Sequence, residues 1–504
     1  MKTKRIVDSV HGNIYIEDKY FDFIDTEWFQ RLRRIEQSSI RSIFPCARHD
    51  RFSHSIGVFY MGQQINGQIY SEACNNYYKI AKSKKESKKK FDVITNSYLI
   101  ACLLHDIAHA PFSHSFESYY GDTETLCKKL NKLLDKNEKI TFSNDDYDRI
   151  KEHEIVSAIL IVENFKDKIN TEFEADCCLV ARMIIGQMYS NDTTTENQIR
   201  NCYISLLNGC AVDADRLDYA HRDIWASGYK TASLDFERLI SSIYIRKNKD
   251  TNKYVVCFSV NVVNEIMSLI QIRKFQVSNV FNHHTILYEQ YLFNRAAQRM
   301  TECLKDGKEK KLYKIINYDT LRKRDENPNG IQLHFKISRF AYNTITFHMV
   351  ADEDLLFLMK QTPKNDEYVE WATRNYKMCS LWETEEEFFY RFPKKDKYMG
   401  PKDKDVIEKI ENTLSKYGFT ESEYHVHPHK RKHIDDYPDV YVITETQDVV
   451  KYHKYINCTP LPKYSDDYFY YVYVNKVKWK SMEKKVQNRI IKELGSMIIK
   501  KCSY

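Results

Sequence analysis

One stretch of this sequence combines an apolar run with several side chains that can bind metals or transfer protons. Residues 97–117 begin with Ser-Tyr-Leu-Ile-Ala-Cys-Leu-Leu. The reactive side chains that follow are His105, Asp106, His109, His114 and Glu117. Imidazole and carboxylate groups together suit Zn, Fe, Mn, Ni or Co, so they indicate a transition-metal site without naming the metal. The competing interpretation is a helix end that carries a few surface histidines.

The apolar part of this stretch predicts a helix. Residues 95–97 (Thr, Asn, Ser) can cap its start, and Pro111 should end it because proline lacks a backbone N–H. His105 and His109 are four residues apart, so on a helix they would share one face. Asp106 at the polar end would then reach the same ion as its neighbour His105.

A second predicted helix supplies another histidine. His54 lies on one side of this helix with Val58, Met61 and Ile65. A lone histidine on an apolar face is more often structural than a metal ligand. Only one helix and a linker separate His54 from His105, however, which makes a shared site plausible.

A third predicted helix carries polar residues at helical spacing. Asp215, Tyr219, Arg222 and Asp223 fall on one face. Burying the Asp215 carboxylate without a cation would cost several kcal/mol, so we expect a metal or an arginine beside it. Taken alone, this segment is also explained as a surface helix of alternating charges.

Two further helix starts can be predicted. Asp25 or Thr26 should cap a helix whose apolar stripe includes Trp28 and Ile35, and the arginines within residues 31–34 are expected to form its solvated face. A separate helix should begin at His153, before an apolar face that includes Ile155 and Ile159.

The composition bounds the class of protein. The chain has 504 residues, 42% of them hydrophobic, which suggests two or three domains. A net charge of +7 is compatible with a polyphosphate or nucleic-acid partner but decides neither. The 13 cysteines are scattered, and several (Cys102, Cys177, Cys178, Cys210) lie in apolar runs, which indicates buried thiols in a reducing compartment. Because no signal-like segment and no membrane-length apolar run is found, we predict a cytoplasmic protein that does not bind membranes.

The predicted fold is mainly α. We expect a helical core over residues 1–310, interrupted by a basic insertion loop at 79–92. A helical extension should occupy residues 311–420, and β-branched and aromatic runs predict a small α/β module over residues 421–504. The histidines at positions 425, 427, 429 and 433 resemble a metal-binding tract, but no carboxylate spacing supports that interpretation, so we expect them in a loop.

The separated pieces resemble one known family. Two histidines and two aspartates hold a metal in HD domains, and His54, His105, Asp106 and Asp215 resemble that H…HD…D signature. The supporting motifs are Asp8-x-x-His11-Gly12, Phe29-Gln30-Arg31-Leu32-Arg33, Phe44-Pro45, Arg51-Phe52-x-His54-Ser55-x-Gly57-Val58, His109-x-Pro111-Phe112-Ser113-His114 and Asp213-x-Asp215-Arg216-x-Asp218-Tyr219. Together they resemble the HD-domain dNTP triphosphohydrolase family, over roughly residues 4–300 and without a SAM domain.

The resemblance implies roles for residues around the metal. It assigns the HD-signature residues to one divalent transition metal (Mn, Fe, Zn, Co or Ni), and Mg to the nucleotide phosphates. Arg51, Arg216, His109 and His153 match residues near the phosphates, and His114 with Glu117 resembles a histidine–carboxylate catalytic pair. We count His109, His114, Glu117 and His153 as catalytic candidates, and either His109 or His114 would protonate the leaving group.

The resemblance also implies two nucleotide contacts away from the phosphates. Gln37, Tyr219 and Asp223 match residues that hold the sugar. An activator site for GTP or a dNTP between subunits is implied by Lys4, Asp25, Gln30 and Arg33. The chain is therefore expected to form a dimer or tetramer.

The expected activity is hydrolysis of a dNTP to a deoxynucleoside and inorganic triphosphate, with nucleotide depletion in antiviral defence as its expected use. The family's Gln-Leu-Gly-Gly stretch is Gln37-Ser38-Ser39-Ile40 here. Because the Ser38 hydroxyl can hydrogen-bond a 2′-hydroxyl, a ribonucleotide substrate stays open. Two more functions are compatible with the same residues: an HD phosphohydrolase of nucleoside monophosphates or cyclic nucleotides, and a non-enzymatic sensor of nucleotides or nucleic acid.

Overall fold

The structure is a computed structural model. It describes residues 2–78, 84–209, 211–229, 234–303, 315–321, 331–336, 342–392, 404–430, 440–457 and 468–498. The mainly α fold class is confirmed, because helices dominate these residues and the sheets are small. None of the described helices is both long enough and apolar enough to cross a membrane.

The helices follow the chain in this order: α1 (Phe21–Ile24), α2 (Glu27–Arg31), α3 (Arg51–Tyr78), α4 (Lys84–Leu104), α5 (Thr123–Leu133), α6 (Asn144–Arg149), α7 (Glu152–Thr171), α8 (Cys177–Ile184), α9 (Thr195–Ser205), α10 (Ala214–Ser227), α11 (Phe236–Ser241), α12 (Val263–Phe275), α13 (His284–Glu302), α14 (Asp352–Gln361), α15 (Asp366–Thr373), α16 (Glu385–Arg391), α17 (Lys404–Lys416), α18 (Tyr452–Tyr455), α19 (Lys476–Ser481) and α20 (Lys484–Ile498).

The strands are β1 (Thr3–Asp8), β2 (Gly12–Glu17), β3 (Ile243–Lys247), β4 (Tyr254–Ser259), β5 (Ile331–Lys336), β6 (Tyr342–Phe347), β7 (Met378–Ser380), β8 (Tyr424–Lys430), β9 (Tyr441–Ile443), β10 (Val449–Lys451) and β11 (Tyr468–Asn475). β1 with β2 and β5 with β6 form antiparallel pairs. A four-stranded sheet has the order β10-β9-β4-β3, with β4 and β9 parallel. A three-stranded antiparallel sheet has the order β7-β11-β8.

The chain divides into two compact units whose boundaries differ from the three consecutive domains expected from sequence. Unit 1 contains Met1–Gln276, Ala297–Pro363 and Asp436–Pro460, and unit 2 contains Val277–Ala296, Lys364–Asp435 and Leu461–Tyr504. The strands of the expected C-terminal module are shared between them, since β9 extends the sheet of β4 while β8 and β11 pair with β7. A β-pattern in sequence identifies a strand but not the sheet that it joins.

Three local expectations are wrong. The insertion expected as a loop is helical from Lys84 onward, because lysine and glutamate are good helix formers; residues 79–83 lie outside the described part. Residues 331–347, expected to be helical, contain the β5–β6 pair. The histidines at 425, 427 and 429 lie on strand β8 instead of a loop, and His433 is outside the described residues.

Close helix packing in unit 1 brings three chain segments together. A Cβ atom added at Gly57 of α3 would lie 1.9 Å from the Asp218 carboxylate of α10, and one at Gly62 would lie 2.7 Å from the sulfur of Cys102 on α4. α3 therefore approaches both α4 and α10 as closely as glycine permits. Cys102, Cys177 and Cys178 are buried free thiols as predicted, while Cys210 is not described.

The N-terminal helix is capped as predicted, but one of its arginines is not solvated. The Thr26 side chain accepts a hydrogen bond from the backbone of Phe29 at the start of α2. Trp28 is buried. Arg31 is also buried, with 4% of its surface exposed, because its guanidinium donates to two backbone carbonyls.

Candidate metal and catalytic site

Four side chains from α3, the turn after α4 and the start of α10 converge on one point: His54, His105, Asp106 and Asp215. The Nε2 atom of His54 lies 3.0 Å from Asp215 Oδ1 and 3.3 Å from His105 Nε2. Asp106 places Oδ1 3.5 Å from His105 Nε2 and Oδ2 3.7 Å from His54 Nε2. Among the described residues, His54, His105 and Asp106 each offer a ligand atom within 4.8 Å of the others, so these three could hold a divalent cation, with Asp215 beside them.

Both histidines are oriented by a hydrogen bond on the far side of the ring. His54 Nδ1 lies 2.8 Å from Asp218 Oδ2, and His105 Nδ1 lies 3.1 Å from the carbonyl oxygen of Cys102. Because both partners are acceptors, a proton on each Nδ1 would leave each neutral ring with its Nε2 lone pair toward the other candidate ligands. This is the tautomer that a metal requires.

Electrostatics keep Asp106 ionised. Burial opposes its charged form, but the charges of His105 and Arg51 outweigh burial and hold the Asp106 pKa well below its usual range. Burial lowers the pKa of His105, which favours its neutral, ligand form. Burial also acts against the His54 cation, but hydrogen bonds with Asp215 and Asp218 raise the His54 pKa to about 9, so a metal at this position would displace a proton from His54.

The predicted helix through residues 97–111 is wrong at both ends. α4 begins at Lys84, so residues 95–97 lie inside the helix, and it ends at Leu104 instead of at Pro111. His105 and His109 therefore lie in a non-helical turn and do not share a helical face. His105 faces His54, whereas His109 stacks on His153 with ring centroids 4.1 Å apart.

Arg51 connects the ligand group to the neighbouring loop. Its Nη1 donates to Asp106 Oδ2 at 2.6 Å, Nε donates to the Ser113 hydroxyl at 3.0 Å, and Nη2 donates to the carbonyl of Gln37 at 3.2 Å. Within the described residues, the buried Oε1 of Gln37 and the buried hydroxyl of Ser38 have no hydrogen-bond partner. These two atoms, predicted to lie near the sugar, are available to a ligand.

A second polar group lies beside the first and contains the catalytic candidates: His109, His114, Glu117 and His153. Their ligand atoms all lie within 4.8 Å of one another. Glu117 bridges two histidines, with Oε1 3.2 Å from His114 Nδ1 and Oε2 2.5 Å from His153 Nδ1. His153 Nε2 lies 3.8 Å from Asp106, so this group adjoins the ligand group.

The histidines of this second group have different proton affinities. Burial and the charges of Arg51 and His153 hold the pKa of His109 well below its usual value. Burial opposes protonation of His153, but its hydrogen bond with Glu117 outweighs burial and raises the pKa of His153. His153 is therefore the histidine of this group that holds a proton most readily, and its Nδ1 lies 2.5 Å from Glu117 Oε2.

The residues predicted on α10 are found on that helix, Ala214–Ser227. Arg216 donates to the Asp213 carboxylate and to the carbonyl of Gly209. Tyr219 is half-buried, and burial raises its pKa. The Asp223 carboxylate lies 2.6 Å from Nε2 of His49, a partner that sequence reasoning did not identify.

The predicted activator residues lie on β1, α1, α2 and the turn after α2. The ammonium of Lys4 lies 4.0 Å from the Phe21 ring centroid, and Asp25 is exposed at the end of α1. Gln30 donates to the Ile24 carbonyl at 2.8 Å and accepts from Arg33 Nε at 2.9 Å. Asp25 and Arg33 of this group are exposed. The assignment of the four residues to an activator nucleotide stays a prediction.

Sequence reasoning missed a buried network behind His54. The Asp218 carboxylate accepts hydrogen bonds from both Nε and Nη2 of Arg222, at 2.8 and 2.9 Å, in addition to its contact with His54. His11 Nε2 lies 2.6 Å from Asp218 Oδ1, and Arg222 Nη1 donates to Asp8 at 2.8 Å. The Asp8-x-x-His11 and Asp218 motifs were visible in the sequence, but their contact spans more than two hundred residues.

Comparison with known proteins identifies a domain. The HD domain family matches residues 51–220, which include the four convergent residues. The chain is 27% identical over 348 residues to a "Deoxynucleoside triphosphate triphosphohydrolase SAMHD1 homolog" of Dictyostelium discoideum, a match that covers 66% of this chain and 56% of the relative. It is 25% identical to "Deoxynucleoside triphosphate triphosphohydrolase SAMHD1" of Gallus gallus over 61% of this chain and 47% of the relative.

The chain spans about half the length of the curated relatives that it matches. Among solved structures, a hypothetical protein from Aquifex aeolicus superposes with a TM-score of 0.57 at 18% identity, over 98% of this chain and 100% of that one. This match shows a shared fold and nothing more.

Proposed function

Because the chain contains an HD domain, we propose that it is a metal-dependent phosphohydrolase that cleaves dNTPs to deoxynucleoside and inorganic triphosphate. The convergence of His54, His105, Asp106 and Asp215 carries the proposal. The close approach of the ligand atoms of His54, His105 and Asp106, with Asp215 3.0 Å from His54, supports this assignment. Similarity to dNTP triphosphohydrolases supports the choice of substrate.

The proposed roles follow from two neighbouring polar groups: the four candidate metal ligands and the histidines around Glu117. When bound, a divalent transition metal would polarise a phosphoryl oxygen as a Lewis acid. Arg51, bonded to Asp106, would contribute positive charge beside the phosphates, together with Arg216 and Mg²⁺ carried by the nucleotide. His153, held by Glu117, would protonate the leaving 5′-oxygen.

The sugar would be held by Gln37, Tyr219 and Asp223, next to the phosphate-binding residues. A second candidate substrate class, ribonucleoside triphosphates, is favoured by one observation. The Ser38 hydroxyl is buried without a partner among the described residues, and it could bond a 2′-hydroxyl. Comparing dNTP with rNTP turnover, in the chain and in Ser38→Leu, decides between the two classes.

We further propose that the chain is a nucleotide-activated homo-oligomer, a dimer or tetramer, which depletes nucleotide pools during antiviral defence. The activator would be GTP or a dNTP bound by Lys4, Asp25, Gln30 and Arg33. The exposed position of Asp25 and Arg33 supports contact with another molecule.

The direct test is turnover after the metal has been exchanged. The protein is stripped with a chelator, reloaded separately with Mn²⁺, Fe²⁺, Co²⁺, Zn²⁺ or Ni²⁺, and incubated with dNTPs, rNTPs, nucleoside monophosphates and cyclic nucleotides. We expect triphosphate release from dNTPs with at least one metal, and none from the stripped protein. Turnover that survives complete metal removal would contradict the proposal.

A matched pair of variants tests the site itself. Asp106→Ala removes a buried ligand and should abolish metal binding and turnover while the helical circular-dichroism spectrum stays unchanged. Asp148→Ala, at an exposed position on α6, should behave as the unmodified protein does. Retained turnover in Asp106→Ala would remove the site assignment.

A further inference from the structure

The turn that carries two catalytic candidates has an unfavourable backbone. Phe112 and Ser113, between His109 and His114, have φ angles of 53° and 54°. Residues with side chains rarely adopt these left-handed values, and a bulky residue such as phenylalanine does so least readily. Such a turn persists only where its surroundings hold it, and strained residues of this kind cluster at active sites.

Besides Arg51, which donates to the Ser113 hydroxyl, the contacts described next hold the turn from outside the HD domain match of residues 51–220. Asp352, the first residue of α14, accepts the Phe112 N–H at 2.6 Å with Oδ1 and the Glu36 N–H at 2.9 Å with Oδ2. Arg31 donates to the carbonyl of His109 at 2.9 Å and to the carbonyl of Val350 at 2.6 Å. The turn is thereby fixed at two points to residues 350–352.

We propose that Asp352 is a positioning residue, which holds the 109–114 turn so that His109 stays stacked on His153 and His114 stays bonded to Glu117. This inference rests on the proposed function, because it assigns Asp352 a role in that same site. The segment at 350–352 is then a functional part of the active site, although it lies far along the chain from the HD motifs.

The chemistry at this position requires a carboxylate. Two backbone N–H groups point at the two oxygens, so both atoms must be acceptors. Asparagine would offer one acceptor and would turn its NH₂ group toward the other N–H donor. Alanine would leave both donors buried without a partner.

The Asp352 carboxyl group lies where burial disfavours its charged form. Only 6% of the Asp352 surface is exposed, and burial raises its pKa to about 7. The two N–H donors and the charge of Arg31 lower the pKa, while the charge of Glu36 raises it further. A buried carboxylate held at such a cost is expected where its geometry serves the site.

The test compares two aspartates on the first turn of α14. Asp352→Asn removes one of the two bonds to the site, whereas Asp354→Asn changes a residue that accepts the Ala351 N–H at 2.9 Å and so only caps the helix. For each variant, metal content, kcat, KM and hydrogen exchange of the amides at 108–116 are measured on the full chain.

We expect Asp352→Asn to lower kcat about 10²-fold, because small displacements of catalytic groups cost that much. Metal content should stay at the wild-type level, since the four proposed ligands lie outside the turn, and KM should change less than threefold. Exchange at 108–116 should accelerate in Asp352→Asn and stay unchanged in Asp354→Asn. A defect that only weakened the fold would reduce metal content and protection throughout unit 1.

The outcomes separate the two claims. Wild-type kcat and wild-type protection in Asp352→Asn would overturn the positioning role and leave the proposed function intact. An equal loss in Asp354→Asn would also overturn it, because the helix end and not the bond would then be responsible. If the unmodified chain hydrolyses no nucleotide, the proposed function fails, and exchange at 108–116 alone decides the positioning role. If Asp352→Asn does not fold, Asp352→Glu, which keeps the charge but displaces both oxygens, is judged by the same criteria.

Discussion

At the scale of single residues, Glu117 connects two histidines of the second polar group. Its two carboxylate oxygens contact different histidines, His114 and His153. His114 is well exposed, with 62% of its side chain accessible, whereas His153 is buried. Glu117 therefore links a solvent-facing imidazole to the one beside Asp106, and under the proposed function it would connect solvent to the proton donor.

Replacing Glu117 with glutamine tests this arrangement. The amide removes the negative charge that raises the His153 pKa, so less of the proton donor is available at neutral pH. We expect kcat to fall at least about 10²-fold while metal content is unchanged. Steady-state kinetics with metal analysis make the comparison, and Glu124→Gln, an exposed position on α5, is the control. Equal kcat in the two variants would exclude the role of Glu117.

The residue types in the sequence identified the side chains that come together, whereas their spacing along a predicted helix did not give their relative positions. The sequence motifs selected the four candidate ligands, and the structure places Asp215 Oδ1 3.0 Å from His54 Nε2 and 3.8 Å from His105 Nε2. The assignment of His105 and His109 to one face was wrong, because α4 ends at Leu104 and a turn sends the two rings toward different groups. Side-chain spacing has predictive value only inside a helix whose ends are known.

At the scale of elements, the site depends on how closely α3 approaches α10. Gly57 lacks the Cβ that would lie 1.9 Å from Asp218 Oδ1 and 2.5 Å from Arg222 Nη2. The absent side chain leaves room for the Asp218 carboxylate, which orients His54. Through the packing of two helices, the glycine thus affects the orientation of His54, a proposed metal ligand.

Two glycines on α3 provide a matched test of that packing. Gly57→Ala should destabilise the protein by about 1–3 kcal/mol through overpacking and should weaken metal affinity. Gly67→Ala has nothing within 4 Å of the added atom and should stabilise by about 0.5–1 kcal/mol. Urea unfolding and calorimetric metal titration measure both effects. Unchanged metal affinity in Gly57→Ala would contradict the proposed coupling between helix packing and His54.

Element prediction failed where strong local patterns were absent. The cap expected at residues 95–97 was overridden because helix-forming lysines extend α4 back to Lys84. The buried state of Arg31 could not be read from its neighbours, since its acceptors, His109 and Val350, are supplied by distant segments. Long-range hydrogen bonds leave no periodic signal in the sequence.

At the scale of the whole molecule, the chain alternates between two compact units. Linear domain boundaries could not be predicted from composition, because residues 364–435 and 461–504 belong to unit 2 while residues 436–460 return to unit 1. Unit 2 has its own aromatic core, which includes Trp382, Phe388 and Phe469.

The oligomer prediction belongs to this scale. Arg33→Ala and Asp25→Ala should abolish any GTP- or dNTP-induced increase in sedimentation coefficient and in kcat, because both side chains are exposed in the predicted activator group. Arg34→Ala is the matched control, since Arg34 is exposed beside Arg33 and pairs with Glu353 at 3.3 Å. Analytical ultracentrifugation with and without nucleotide makes the measurement. Equal behaviour of Arg33→Ala and Arg34→Ala would exclude the activator assignment.

The measurement that tests the central claim most directly is product analysis in oxygen-18 water. The metal-loaded protein is incubated with a dNTP, and the products are separated by ion exchange and examined by phosphorus NMR and mass spectrometry. Attack of water at the α-phosphorus predicts that the label enters inorganic triphosphate and that the deoxynucleoside is unlabelled. Release of phosphate or pyrophosphate in place of triphosphate, or label in the deoxynucleoside, would contradict the account.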